Sequence, residues 1–219
     1  MKKCIAILVI GVLSLTVSCK KEKTDTQEST SMESSVTKDG LKYTVDTKTS
    51  LVKWSGSKPT RTHTGTINLK EGEVTVKDSM ITSGSFFIDM NTITVTDLKP
   101  EEGKADLENH LKGTGDKNKD DFFNVTKYPT SDFRITKVEP REGKVQIFGN
   151  LSIKGVTKAI NFAADVTIND KEVILKTEKM ILNRTYFNVN FASKSLFADL
   201  KDKFINDEIE IEVEIRATR

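Results

Sequence analysis

EIEIEVEIRA, residues 208–217, sets Glu208, Glu210, Glu212 and Glu214 against Ile209, Ile211, Val213 and Ile215. A period of two sends successive side chains to opposite faces of a strand, so one face of this stretch is wet and the other dry. Working outward, the same alternation recurs at Leu41-Tyr43-Val45, Val52-Trp54, Ile67-Leu69, Phe86-Ile88-Met90, Phe133-Ile135, Val145-Ile147, Leu151-Ile153, Phe162-Ala164-Val166-Ile168 and Phe187-Val189-Phe191. Turn residues separate these runs: EGE at 71–73, EGK at 142–144 and NDKE at 169–172. The pattern predicts an all-β domain of roughly eight to ten strands. Few runs are apolar on both faces, which argues against a parallel sheet between layers of helices. A sheet this wide curls, and closure into a barrel removes its edges. A closed antiparallel barrel of about eight strands can enclose one small ligand. A two-sheet sandwich satisfies the same alternation.

Two segments break the rhythm. KPEEGKADLENHLKG, residues 99–113, has early acidic residues and Leu107 four before Leu111, which predicts a short helix. KSLFADLKDKF, residues 194–204, places Leu196, Phe197, Leu200 and Phe204 at helical spacing with Ser195 as N-cap, a second short helix before the last strand. Between them lies an irregular stretch holding Phe122 and Phe123. Adjacent residues cannot share a face of an extended strand, so a turn there should bring at least one ring inward. Tyr128 precedes Pro129 and is biased toward an extended entry to the Phe133 strand.

The chain has 219 residues, one ordinary domain plus extras, and its 36% hydrophobic and 30% charged residues fit a soluble body. Its net charge of +2 is carried by Lys2 and Lys3, and no basic stripe offers a nucleic-acid surface. Residues 1–18, MKKCIAILVIGVLSLTVS, read as a signal peptide: two lysines, then an apolar core from Ile5 to Val17 that is short for a bilayer span. LTVSC resembles a bacterial lipobox at Cys19, with Thr16 where leucine is usual and Leu15 one step further out. The alternative is an ordinary signal with an incidental cysteine. Cys4 falls in the leader, so Cys19 is the single cysteine of the mature chain, and acylation would cap its thiol. Residues 19–39 then form a lipidated N-terminus and flexible tether, almost without apolar side chains, ahead of a folded domain at 40–219. The expected location is the cell envelope, as a lipoprotein facing the periplasm or cell surface. Lys20 argues mildly against an Asp-based inner-membrane retention signal, a code that varies among bacteria, and inner and outer membrane both stay open. The domain is expected as a monomer or homodimer.

Little in the sequence carries chemistry. The two histidines, His63 and His110, are far apart, and no CxxC, HxH or HExxH spacing supports a metal site. G-x-S-x-G and phosphate-binding glycine loops are absent. GTGDKNKDD, residues 113–121, lacks the spaced ligands and final Glu of a calcium loop. Carboxylates and hydroxyls are too common for a His-Asp-Ser set to be specific, and no catalytic residue is assigned. His63, in RTHTGTINL, fits either a strand-end backbone contact or a polar group at a barrel mouth. Arg184, in ILNRTYFNV, reads either as a structural anchor for a carboxylate or as a contact for a polar head group. Eleven Phe against three Tyr and one Trp favour aromatics without a polar handle. Phe86, Phe133, Phe162, Phe187 and Phe191 fall on dry faces, where either a filled core or an apolar guest accounts for them.

Four stretches in order, HTGTINLKEG (63–72), HLKGTGDKNKDDFFNVTKYPTSDF (110–133), GNLSIKGVTKAINF (149–162) and LNRTYFNV (182–189), resemble the YceI-like family. The likeness runs from Tyr43 to Ile215. It departs at the GTGDKNK spacer and at Asn124 and Asn150, where Asp is usual. The resemblance implies a lipocalin-like barrel, exported, with an elongated apolar interior that binds long isoprenoid chains such as polyprenyl or quinone tails. It implies no catalytic role and no cofactor beyond such a lipid. The ligand-contacting residues expected on this basis are Phe86, Ile88, Phe122, Phe123, Phe133, Ile135, Ile147, Leu151, Phe162 and Phe187, with His63 and Arg184 near a head group. The excursion from Pro100 to Pro129 reads as a cap, either a lid over a pocket or a plug. The expected function is storage or transport of the lipid. The alternative is a tethered barrel with a packed core, acting as a structural or interaction module in stress response without a ligand.

Overall fold

Glu208–Thr218, the strand named β11 below, closes the molecule. The computed structural model describes residues 31–219 apart from 38 and 116; the stretch read as a leader, Cys19 and most of the stretch read as a tether lie outside the described residues. The strands are β1 (Leu41–Val45), β2 (Leu51–Lys58), β3 (Arg61–Lys77), β4 (Met80–Asp89), β5 (Thr94–Val95), β6 (Thr130–Arg141), β7 (Lys144–Ile153), β8 (Val156–Ile168), β9 (Glu172–Thr177), β10 (Met180–Asn183) and β11. One helix, α1 (Lys104–Lys112), sits between β5 and β6. Eight strands form an antiparallel ring in the order β2-β3-β4-β6-β7-β8-β9-β11. Its last seam is made by β11, which pairs with β2 on one side (Val213 opposite Val52) and β9 on the other (Ile215 opposite Leu175). The ring settles the choice between barrel and sandwich. The glutamates of β11 face outward, where Glu210 and Glu214 each meet a lysine (Lys179 and Lys176) at 2.8 Å.

The two ends of the barrel differ. At the far end stand the β3–β4, β6–β7 and β8–β9 turns and β1, which pairs with the last residues of β3 and β11. Tyr43, Val74, Ala164, Val173 and Ala217 are fully buried there and fill the interior. The Tyr43 hydroxyl donates to the Asn169 carbonyl at 3.0 Å. At the cap end lie the β2–β3 hairpin, the β7–β8 turn and the long connection from β4 to β6 that contains α1.

Three sequence expectations are corrected. EGE at 71–73 is not a turn: β3 runs through it with a bulge at Lys70, and the chain reverses at Asp78-Ser79, both with positive φ as a tight hairpin requires. Phe187-Val189-Phe191 is not a strand. Arg184–Phe187 is a 3₁₀ turn that the Asn183 side chain caps through the Thr185 N–H, and Asn188, at φ 57°, ends it. The second predicted helix is reduced to a 3₁₀ turn at Lys201–Lys203. Leu196 and Phe197 are half exposed, so their helical spacing faces no surface that would reward it. The first helix forms as expected, with a 3₁₀ turn at Pro100–Glu102 ahead of it.

Part of the stretch read as tether lies on the barrel. The bulge at Thr136 of β6 turns that residue's carbonyl outward, and it accepts from the Ser35 N–H at 3.1 Å and the Ser35 hydroxyl at 3.0 Å. The Asn150 side chain accepts from the Met32 N–H (2.8 Å) and donates to the Met32 carbonyl (2.9 Å), as a neighbouring strand would.

Candidate functional site

The cap half of the barrel is hollow. Inward side chains of every ring strand enclose a cavity of about 440 Å³, within the roughly 300–1,000 Å³ usual for a small-molecule site. Phe86 and Ile88 come from β4, Phe133 and Ile135 from β6, Ile147 and Leu151 from β7, and Phe162 from β8. The Phe133 ring lies between Phe86 (6.4 Å between centroids) and Phe162 (5.4 Å). It can lie flat on the wall because residue 149 is glycine: a Cβ there would stand 2.3 Å from the Phe133 ring. Further strand residues that close the wall were not among the expected contacts, including Ile209, Ile211 and Val213 of β11, whose alternation gave the same signal.

The cap supplies the rest. Gly113, at φ 69°, ends α1, and the Phe123 and Val125 N–H groups then bond the Leu111 and Lys112 carbonyls at 3.1 and 2.8 Å. Asn124 holds φ 47°, a left-handed conformation that Asn and Asp tolerate best. Phe122 and Phe123 both reach the cavity. His110, on α1, bonds Asp121 at 2.8 Å through Nε2 and meets the rings of Phe122 and Phe191 edge-on at 5.0 and 4.9 Å. Sequence spacing could not show this cluster, because its members come from a helix and two irregular segments. Lys154, in the β7–β8 turn, donates to the Asp120 and Asn188 carbonyls (2.7 and 3.1 Å) and straps the two irregular segments together; burial lowers its pKa.

Of the expected contacts, Phe187 alone stays off the cavity wall: it is 1% exposed and packed into the surrounding core. Arg184 touches the cavity edge, but its guanidinium donates to the Val189 (2.6 Å), Ile205 and Asn206 (both 3.1 Å) carbonyls and lies 3.6 Å from Asp207. The geometry is that of an anchor holding the β10–β11 connection. His63 stands at the mouth beside Lys58 and Arg61, its Nδ1 2.9 Å from Asp97. Burial pushes the Asp97 carboxyl up, but the Thr64 N–H (2.8 Å) and His63 outweigh it, so its pKa is lowered. A polar group that sequence reading missed is the indole N–H of Trp54, buried on the wall without a hydrogen-bond partner among the described residues. No three His, Cys, Asp or Glu side chains gather into a metal site among the described residues.

Residues 43–217 match the family model described as the YceI-like domain. The crystal structure of Burkholderia cenocepacia BcnA superposes with a TM-score of 0.62 at 20% identity, covering 80% of this chain and 99% of that one. A polyisoprenoid binding domain from Saccharophagus degradans, implicated in plant cell wall breakdown, gives 0.58 at 13% identity over 80% of this chain and 97% of the other. In sequence, a UPF0312 protein of Yersinia pestis is 27% identical over 103 residues, 47% of this chain and 48% of that protein. A UPF0312 protein of Vibrio vulnificus is 33% identical over 85 residues, 38% of this chain and 45% of its own. The chain thus spans about half the length of the curated relatives it matches.

Proposed function

The chain belongs to the YceI-like family, and from that premise we propose that its barrel holds one long apolar chain, of isoprenoid or quinone type, for storage or transport in the cell envelope. The observation that carries this reading is the hollow, apolar cap half, open beside Lys58, Arg61 and His63. A lipid tail leaves a membrane slowly because each buried methylene is worth about 0.8 kcal/mol, on the order of 20 kcal/mol for some thirty carbons. The Phe, Ile, Leu and Val wall replaces those contacts without water. At the wet end, His63 and the unpaired Trp54 indole N–H are the groups available to a carbonyl or hydroxyl of the guest. Arg184 is not among them, because three carbonyls already engage it. Acylation of Cys19 keeps the domain at its lipid source at high effective concentration. The fold relative described as polyisoprenoid binding supports the choice of guest.

The test is direct. Solvent extraction and mass spectrometry of protein purified from membranes should return a polyprenyl or prenylquinone lipid. The emptied protein should take up a polyprenyl analogue with a change in Trp54 fluorescence. A protein that carries no lipid and takes up none overturns the proposal.

A further inference from the structure

The outer surface of the cap end has an apolar feature that lipid storage does not need. Among the described residues six large hydrophobics are exposed: Leu41, Met80, Tyr186, Phe191, Leu196 and Phe197. The last four fall between β10 and β11, beside the cavity mouth; Ile205 and Lys203 of the same connection line that mouth. Leu196 is 54% and Phe197 50% exposed. They are held out rather than loose. The Phe197 N–H bonds the Ser193 carbonyl (3.2 Å), the Leu196 N–H bonds the Ser193 hydroxyl (3.3 Å), and the Ser195 N–H bonds Asp207 (3.2 Å). Beside this connection, which Asn206 bonds to Ser57 through its N–H and side-chain amide (both 2.8 Å), the β2–β3 hairpin tip carries Lys58 and Arg61, both exposed.

A second observation concerns where the chain leaves the barrel. Thr136 holds Ser35, and Asn150, which faces Arg134 across the ladder, holds Met32. Because β6 starts at the cap end, the segment read backward from Ser35 to Met32 climbs toward the mouth. The thirteen residues from Met32 back to Cys19 reach at most about 45 Å. The mouth is about three β7 residues from Asn150, roughly 10 Å, so an anchor on that side is well within reach.

We propose that the cap end is a membrane-docking face: Leu196, Phe197 and Tyr186 enter a phospholipid surface, Lys58 and Arg61 meet its phosphates, and the docked N-terminal segment turns the mouth toward it. Apolar tips flanked by cations are the composition that lies in a bilayer interface. The anchoring part rests on the acylation of Cys19 proposed above; the apolar rim does not. Docked this way, the cavity opens onto the bilayer, and a tail passes between them without crossing water.

Depth-resolved quenching tests this. Full-length chains carrying Trp54→Phe with either Phe197→Trp or Met80→Trp are mixed with phosphatidylethanolamine–phosphatidylglycerol vesicles whose acyl chains are brominated. The Phe197→Trp protein should lose most of its emission and the Met80→Trp protein little; equal quenching, or none in either, overturns the docking face. Adding Cys19→Ser separates rim from anchor: Phe197→Trp quenching should persist at higher lipid concentration, and its complete loss removes the rim from the proposal. Leu196→Ser with Phe197→Ser should weaken vesicle binding of the Cys19→Ser chain about tenfold. If that pair instead dissolves a dimer in lipid-free solution, a second copy of this chain is the true occupant and the proposal falls. Polyprenyl uptake by the chain that keeps Trp54, read by its fluorescence, reports the cavity separately. Intact uptake without asymmetric quenching sinks only the docking face. Asymmetric quenching without uptake sinks only the carrier.

Discussion

The two halves of this barrel share eight strands and one alternation pattern, yet one is packed and the other hollow. In the far half, small and β-branched side chains (Val74, Ala164, Val173, Ala217) meet across a narrow interior with Tyr43 laid over them. In the cap half the wall residues are larger, but they lie along the wall. Phe133 rests over Gly149, Trp54 lies over Gly65, and the cap bridges the opening. The difference teaches that interior volume is set by which side chains have a glycine to lie upon, as much as by their size. The packed half supplies stability that the hollow half forgoes, since a wall without partner atoms loses dispersion contacts.

The largest effect should come from the anchor between the halves' strands and the rim. Arg184→Met leaves three carbonyls and Asp207 without their cation and should cost about 3–5 kcal/mol, read by urea unfolding. A loss under about 1 kcal/mol would show that the β10–β11 connection does not depend on it. The next prediction sets the halves against each other. Ile81→Ala, in the packed half, should cost about 3 kcal/mol with polyprenyl affinity unchanged. Ile211→Ala, on the cavity wall, should cost about 1 kcal/mol and shift affinity instead. Equal stability losses would erase the distinction. Gly149→Ala should set a Cβ against the Phe133 ring and the Arg134 carbonyl (2.3 and 2.5 Å), costing about 1–3 kcal/mol and lowering uptake as the ring is pushed into the lumen. Unchanged uptake would mean the ring can find other space.

The smallest effect is one of pH. Burial raises the Asp207 carboxyl, but Ser193, Ser195 and Arg184 outweigh it, so its folded pKa lies below the ordinary 3.8. A depressed carboxylate stabilises above its unfolded value and loses that stabilisation as pH falls through the folded one. Hydrogen exchange in residues 184–207 should therefore rise only below pH 3.8, ahead of the β6–β8 wall, and Asp207→Asn should remove the transition. Simultaneous opening of both regions would place the acid-sensitive groups elsewhere.

The sequence makes the strands legible because one wet and one dry face leave a period of two that no other element imitates. It makes α1 legible through its early acids, Leu107, Leu111 and closing Gly113. The β10–β11 connection is illegible because its order comes from one guanidinium bonding carbonyls up to 22 residues away, and carbonyls carry no sequence signal. The Met32–Asn150 pairing hides for the same reason: one partner is backbone, 118 residues distant. Hollow and packed halves look alike in sequence, since alternation reports which face is dry and says nothing of what stands opposite.

Closure by β11 also fixes the order in which the molecule can mature. Until Glu208–Thr218 arrives, β2 and β9 are the two raw borders of an open sheet, and the greasy interior has no eighth wall. A nascent chain therefore carries an adhesive, unfinished sheet until β11 has been made, and a chaperone that shields those two borders would hold it competent to fold.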